Sequence, residues 1–154
     1  MKYLLMCIGN LEGGYDSVGP YIADILKKEY LNEIKVIDAG TIPENYTGKV
    51  KQYKPENLVI IDAIDMNLKP AEIRIVPKEK IGVMHISTHG IPLSVLINYL
   101  EKFVKNIFLV GIQPEKMSGQ ISKSVLESAN KIIENIRKKK LKNINTDTFY
   151  RQLQ

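Results

Sequence analysis

The stretch "CIGNLEGGYDSVGPYI", Cys7–Ile22, decides the fold. The uncharged run Tyr3–Ile8 leads into it, and Ile22, Ile25, Leu26 and Tyr30 lead out at helical spacing. A short apolar run reads as a buried strand and the 3.6-residue spacing as a helix covering it. Between them Gly9, Gly13, Gly14 and Gly19 make the turn, with Pro20 tolerated in the first helical turn, giving a helix over Val18–Tyr30. Gly9 and Gly14 have the G-x-x-x-x-G spacing of a phosphate loop. Tyr15 and Asp16 follow, however, where such a loop needs Lys and Ser or Thr. The loop therefore presents a carboxylate, the wrong sign for a phosphate.

The same alternation continues along the chain. Strands are expected at Ile34–Ala39, Asn57–Ile61 and Asn106–Ile112, with a half-exposed edge strand at Ala71–Val76. Thr41–Pro55 reads as loop with a short helical piece, and Ile81–His89 is open between strand and loop. Pro92–Phe103 reads as an amphipathic helix with Val95, Leu96, Tyr99, Leu100 and Phe103 on one face. Ser122–Lys139 reads as the last helix, with Val125, Leu126, Ala129, Ile132, Ile133 and Ile136 inward. Nearly all-apolar strands alternating with helices define an α/β protein. We expect a three-layer α/β/α sandwich around a twisted, mostly parallel five-stranded sheet. Residues 1–140 are expected to form this single domain, and 141–154 a polar, flexible tail.

Composition narrows the function. The chain of 154 residues is 44% hydrophobic and 25% charged, ample for one core. No apolar run approaches the ~20 residues of a membrane helix. The start MKYLLMCIGN lacks a signal-peptide cleavage pattern, so a cytoplasmic location without membrane insertion is expected. Cys7 stands alone, which excludes an internal disulfide and a thiolate cluster, and it reads as a buried, inert thiol. Residues 1–127 carry 15 basic and 15 acidic side chains, so the net charge of +5 lies wholly in residues 128–154. A basic end to the last helix complements its own dipole, and no nucleic-acid partner is expected.

In open α/β sheets ligands gather at the carboxyl ends of the strands. The sequence delivers Asp16 one loop after the first strand, Asp38 after the second, and Asp62 with Asp65 after the third. His85 and His89 follow from the ambiguous segment, whereas the last strand delivers Gly111-Ile112-Gln113-Pro114 with no titrating group. Carboxylates and imidazoles on one rim suit a divalent metal such as zinc, nickel or cobalt. No serine sits in a G-x-S-x-G elbow. Each residue also has a plain structural role. Asp16 suits a helix cap, Asp38 an Asx turn with Gly40-Thr41, Asp65 a solvated turn and His85 a structural histidine. Asp62, ending a very apolar strand, is costly without a partner, and His89, before Gly90, is the better imidazole for chemistry.

Taken in order, "CIGNLEGGYDSVGP", "VIDAGTIPEN", "LVIIDAIDMNLKPAEIRI", "STHGIPLSVLINYL" and "FLVGIQP" make the chain resemble the NiFe-hydrogenase maturation endopeptidases. The resemblance spans about residues 3 to 137 and is closest to the HycI branch, which processes hydrogenase-3-type large subunits. It implies a protease, aspartyl-type by family classification, that removes a C-terminal extension from the large-subunit precursor once nickel is inserted. It implies no metal cofactor of the enzyme's own, recognition of Ni²⁺ within the substrate with Zn²⁺ or Cd²⁺ as surrogates in vitro, and a monomer. Asp16, Asp62 and His89 take the family's metal-contact and catalytic positions. The family's usual Asp-Asp-Gly is here Tyr15-Asp16-Ser17, so Ser17 must accept the backbone shape of the missing glycine or the loop differs locally. A non-catalytic nickel-sensing chaperone is the alternative, and a nucleotide or nucleic-acid binder ranks last.

Overall fold

The computed structural model describes residues 1–76, 78–81, 90–116 and 119–138. Strands β1 (Tyr3–Ile8), β2 (Ile34–Gly40), β3 (Asn57–Ala63), β4 (Ile73–Val76) and β5 (Asn106–Ile112) form one sheet. Their spatial order is β2-β1-β3-β5-β4, parallel except for β4, which pairs antiparallel with β5 at the edge. Helices α1 (Val18–Leu26), α2 (Thr47–Tyr53), α3 (Lys78–Ile81), α4 (Leu93–Leu100) and α5 (Lys123–Arg137) connect or follow them. No helix among the described residues is long and apolar enough to cross a membrane.

Alternation along the strands builds two cores. Leu5 and Cys7 of β1, Val59 and Ile61 of β3, and Val110 and Ile112 of β5 pack under α1 and α5. Leu4, Met6 and Ile8, Leu58 and Ile60, and Leu109 pack under α2 and α4. The three-layer sandwich is as expected. Tyr21 Oη donates to Asn130 Oδ1, and Arg137 bonds Glu29, tying α1 to α5. Arg137 also pairs with Glu134, so this basic side chain is engaged within its own fold.

Four expectations change. The first helix stops at Leu26 rather than Tyr30, because Lys28 and Glu29 donate to Ile25 and Leu26 in tighter three-residue turns, and Tyr30 is left exposed. The segment Thr41–Pro55 is mostly helical: a 3-10 turn, Pro43–Tyr46, runs into α2 and closes at Lys54 in the left-handed conformation. Strand β3 continues through Asp62 to Ala63, because Asp62 and Ala63 stay in register with Gly111 and Ile112. Helix α4 buries Leu93, Leu96, Ile97 and Leu100 but leaves Val95 and Tyr99, with Phe103 just beyond its end, facing outward. The segment holding His85 and His89, the boundary at 140 and the tail 141–154 lie outside the described residues.

Candidate active site

The connection from β1 to β2 runs through α1 on one face, and that from β2 to β3 runs through α2 on the other. Between β1 and β3 the strand order therefore reverses, which makes the crevice where such sheets bind ligands. Asp16 follows β1 and Asp62 closes β3. The structure brings these two to the same crevice, both buried.

Local chemistry explains how Asp16 gets there. It sits in a 3-10 turn, Gly14–Ser17, that packs against β3. The loop closes on itself, since the Asn10 amide donates to the Asp16 carbonyl at 3.0 Å. Gly9, at φ +148°, donates to the Gly40 carbonyl at the end of β2, and the Tyr15 amide donates to the carbonyl of Gly119. Ser17 has φ −86° and ψ −2°, ordinary right-handed backbone, and its hydroxyl donates back to the Gly14 carbonyl at 2.6 Å. The missing family glycine thus needs no special backbone at position 17. The demand for positive φ falls on Gly9 and Gly14. Ser17 stands at the N-cap position of α1 and makes no side-chain cap bond.

Asp62 is the most perturbed carboxyl on this rim. Burial, and after it the negative charge of Asp16, push its pKa well above the ordinary carboxylate range, opposed in part by the Ala63 amide that donates to it. Its Oδ1 is fully buried without a hydrogen-bond partner. Among the described residues one other buried side-chain polar atom is in that condition, Glu44 Oε2, on the 3-10 turn after β2. Both are carboxylate oxygens, and buried polar atoms are left unpaired only rarely. Glu44 packs against Gly90, where an added Cβ would stand 2.3 Å from Glu44 Oε1, one residue from His89. Its position in "TIPEN" was the one sequence signal for it.

The remaining candidates take structural roles. Asp38 Oδ1 accepts from the Gly40 amide, the expected Asx turn, and Asp65 Oδ1 accepts from the Asn67 amide in an exposed turn. The Cys7 thiol is fully buried, and burial, with Asp38 and Asp62 nearby, drives its pKa far upward, so it is inert. His89 lies outside the described residues. No group of three or more metal-binding side chains occurs among those described.

Gln113 is the residue that sequence reasoning passed over. Its buried side chain accepts from the amides of Met66 (2.7 Å) and Leu68 (3.3 Å) and donates to Asp65 Oδ1 and the Pro114 carbonyl. It clamps the chain leaving Asp62 onto the end of β5. Gln113→Leu removes the acceptor of two partly buried amides, which water reaches in part, so a loss of about 1–3 kcal/mol is expected. Urea unfolding measures it, and an unchanged midpoint would refute the clamp.

Fold and rim together define the class: a doubly covered α/β protein with a buried pair of acidic side chains at its switch point. The HycI family model, hydrogenase maturation protease, matches residues 20–139. The hydrogenase 3 maturation protease of Escherichia coli K12 is 37% identical over 116 residues, 75% of this chain and 74% of that one. A crystal structure of a hydrogenase 3 maturation protease superposes with TM-score 0.81 at 30% identity, covering 88% of this chain and 89% of the other. HycI of Thermococcus kodakarensis superposes with TM-score 0.77 at the same identity and coverage. This chain belongs to the HycI family of hydrogenase maturation proteases and is a peptidase.

Proposed function

We propose that this endopeptidase removes the C-terminal extension of a NiFe-hydrogenase large-subunit precursor after nickel insertion. It acts as a cytoplasmic monomer without a metal cofactor of its own. The observation that carries this reading is the unpartnered Oδ1 of buried Asp62 beside buried Asp16. A carboxylate pair of this kind repels an anion and gains from a divalent cation, which suits nickel carried in by the substrate. Asp16, Asp62 and His89 hold that ion.

The chemistry at the pair follows from its electrostatics. Without a cation, Asp62 resists losing its proton, because burial and the Asp16 charge both oppose ionisation. A divalent ion offsets both the burial and the Asp16 charge, so its arrival and the release of the Asp62 proton are coupled. The site is thus completed by a loaded precursor and not by an empty one. A carboxylate at this crevice then takes the proton of the attacking water as it adds to the scissile carbonyl and returns it to the leaving amine as the C–N bond breaks, while the bound ion supplies Lewis-acid polarisation.

Purified nickel-loaded precursor mixed with the protein is expected to lose a C-terminal peptide, followed by time-resolved mass spectrometry, while nickel-free precursor stays whole. A stable, uncut complex with loaded precursor instead assigns the protein to a nickel-sensing chaperone role.

A further inference from the structure

Helix α4 has a second apolar face. Its inner side, Leu93, Leu96, Ile97 and Leu100, is buried, yet Val95, Tyr99 and Phe103 recur every four residues on the outside, 51%, 37% and 43% exposed. Tyr99 and Phe103 meet edge to face with ring centroids 5.4 Å apart. Lysines surround them. Lys51 of α2 lies 5.5 Å from the Tyr99 ring centre and 5.1 Å from that of Phe103, and its Nζ donates to Tyr99 Oη at 2.9 Å. Lys102 lies over Tyr99, and Lys49 over Tyr46 at the start of α2. Among the described residues these three ammonium groups rest on rings and make no ion pair with a carboxylate, unlike neighbouring Lys78, which pairs with Glu101.

We propose that this α2/α4 face docks an acidic, partly apolar surface of the folded precursor protein; the inference rests on the endopeptidase reading above. Exposed apolar stripes rimmed by polar groups mark interaction sites, and aromatic residues are enriched at their centres. An ammonium held by an exposed ring or a neutral hydroxyl is bound more weakly than by a carboxylate, so it is free to turn to a partner's carboxylate. The charge also chooses among occupants. A second copy in a two-fold contact would set lysines against lysines. A nucleic acid needs open ring faces for stacking, whereas lysines lie against these rings. The face is also continuous with the site along the chain. Helix α2 follows the turn carrying Glu44, and α4 starts three residues after Gly90.

The test is the Kd of full-length protein for purified nickel-loaded precursor, by calorimetry at two salt concentrations, with Lys49→Glu/Lys51→Glu/Lys102→Glu and, separately, Tyr99→Ser/Phe103→Ser. Thermal melts of both variants establish that they are folded. Each variant is expected to raise Kd about tenfold or more. The wild-type Kd rises with salt and that of the triple variant does so much less. Saturating single-turnover cleavage is expected to stay within about twofold of wild type, because docking remote from the chemistry is uniform binding. Wild-type affinity and salt dependence in both folded variants overturns the proposal. So does dimerisation through this face in sedimentation, or binding of a 20-nucleotide RNA that the triple variant loses while precursor affinity is unchanged. Because Kd is read apart from cleavage, a precursor that binds through this face yet is never cut defeats the endopeptidase reading and leaves the docking face standing.

Discussion

Asp62→Asn is expected to abolish processing of nickel-loaded precursor in a protein that still folds. The amide cannot ionise when the cation arrives, so it cannot supply the charged oxygen in place of the Oδ1 that the crevice now leaves unpaired. It loses the several kcal/mol that a correctly placed ion and carboxylate contribute to the transition state. At 1.36 kcal/mol per decade that is on the order of 10³-fold in rate. Normal processing by a folded Asp62→Asn protein would remove the central claim. Asp16→Asn is expected to weaken the same reaction by a smaller factor, since Asp16 shares the charge but keeps its place in the loop through its backbone.

The same substitution has a signature in stability, and its sign is fixed by the direction of the pKa shift. An unfolded Asp titrates near ~3.9. In the folded protein Asp62 holds its proton well above that, first through burial and then through Asp16. Between the two values the folded state binds more protons than the unfolded state, so stability falls as pH rises through this window. Below ~3.9 both states are protonated and the effect vanishes. Above the folded pKa the full cost is present. Asn cannot titrate, so the wild type is expected to lose stability relative to Asp62→Asn as pH is raised above ~3.9, until the folded-state pKa is passed. Urea midpoints at several pH values measure the difference. Parallel curves would show that Asp62 is ionised without penalty and needs no cation. The absolute stability of the variant is a poorer test, because its amide N–H has no evident acceptor.

The sheet was legible because its strands are short, apolar and uncharged, and burial on both faces leaves that pattern little freedom. Asp16 and Asp62 were legible for the complementary reason, as carboxylates where the pattern calls for apolar or turn residues. The errors lie where tertiary packing decides. Val95, Tyr99 and Phe103 share helical spacing with Leu96 and Leu100, and periodicity alone did not tell the inner face from the outer one. Glu44 and Gln113 carried no spacing signal. Their importance comes from long-range partners, Gly90 across the rim and the amides of Met66 and Leu68. Thr41–Pro55 was misread because Pro43, Gly48 and Pro55 suggest loop. Yet Pro43 opens the 3-10 turn, where its missing N–H costs nothing, and Pro55 follows the helix end at Lys54.

Gly9→Ala is expected to be a severely damaging small substitution, and it tests whether this glycine serves to place Asp16. The added Cβ would stand 2.1 Å from the Asp16 carbonyl oxygen and 2.8 Å from Pro20 Cδ, at a φ of +148° that L-residues rarely adopt. The nearer obstacle is backbone, so no side-chain rotation relieves it. Strain and overpacking together are expected to cost about 3 kcal/mol or more. To make room, the Asp16 carbonyl must leave the Asn10 amide, which opens the loop and carries the Asp16 carboxylate away from Asp62. Processing should therefore fall even under conditions where the variant is fully folded. The pH dependence of stability should flatten as well, because Asp62 loses the charge that adds to its burial. Gly48→Ala is the control. It lies in α2 with no atom within 4 Å of the new Cβ, so alanine is expected to stabilise by about 0.5–1 kcal/mol and leave processing unchanged. A Gly9→Ala protein with wild-type unfolding midpoint and wild-type processing would mean that Asp16 is positioned by something other than this turn. The pairing of the two carboxylates would then need another cause.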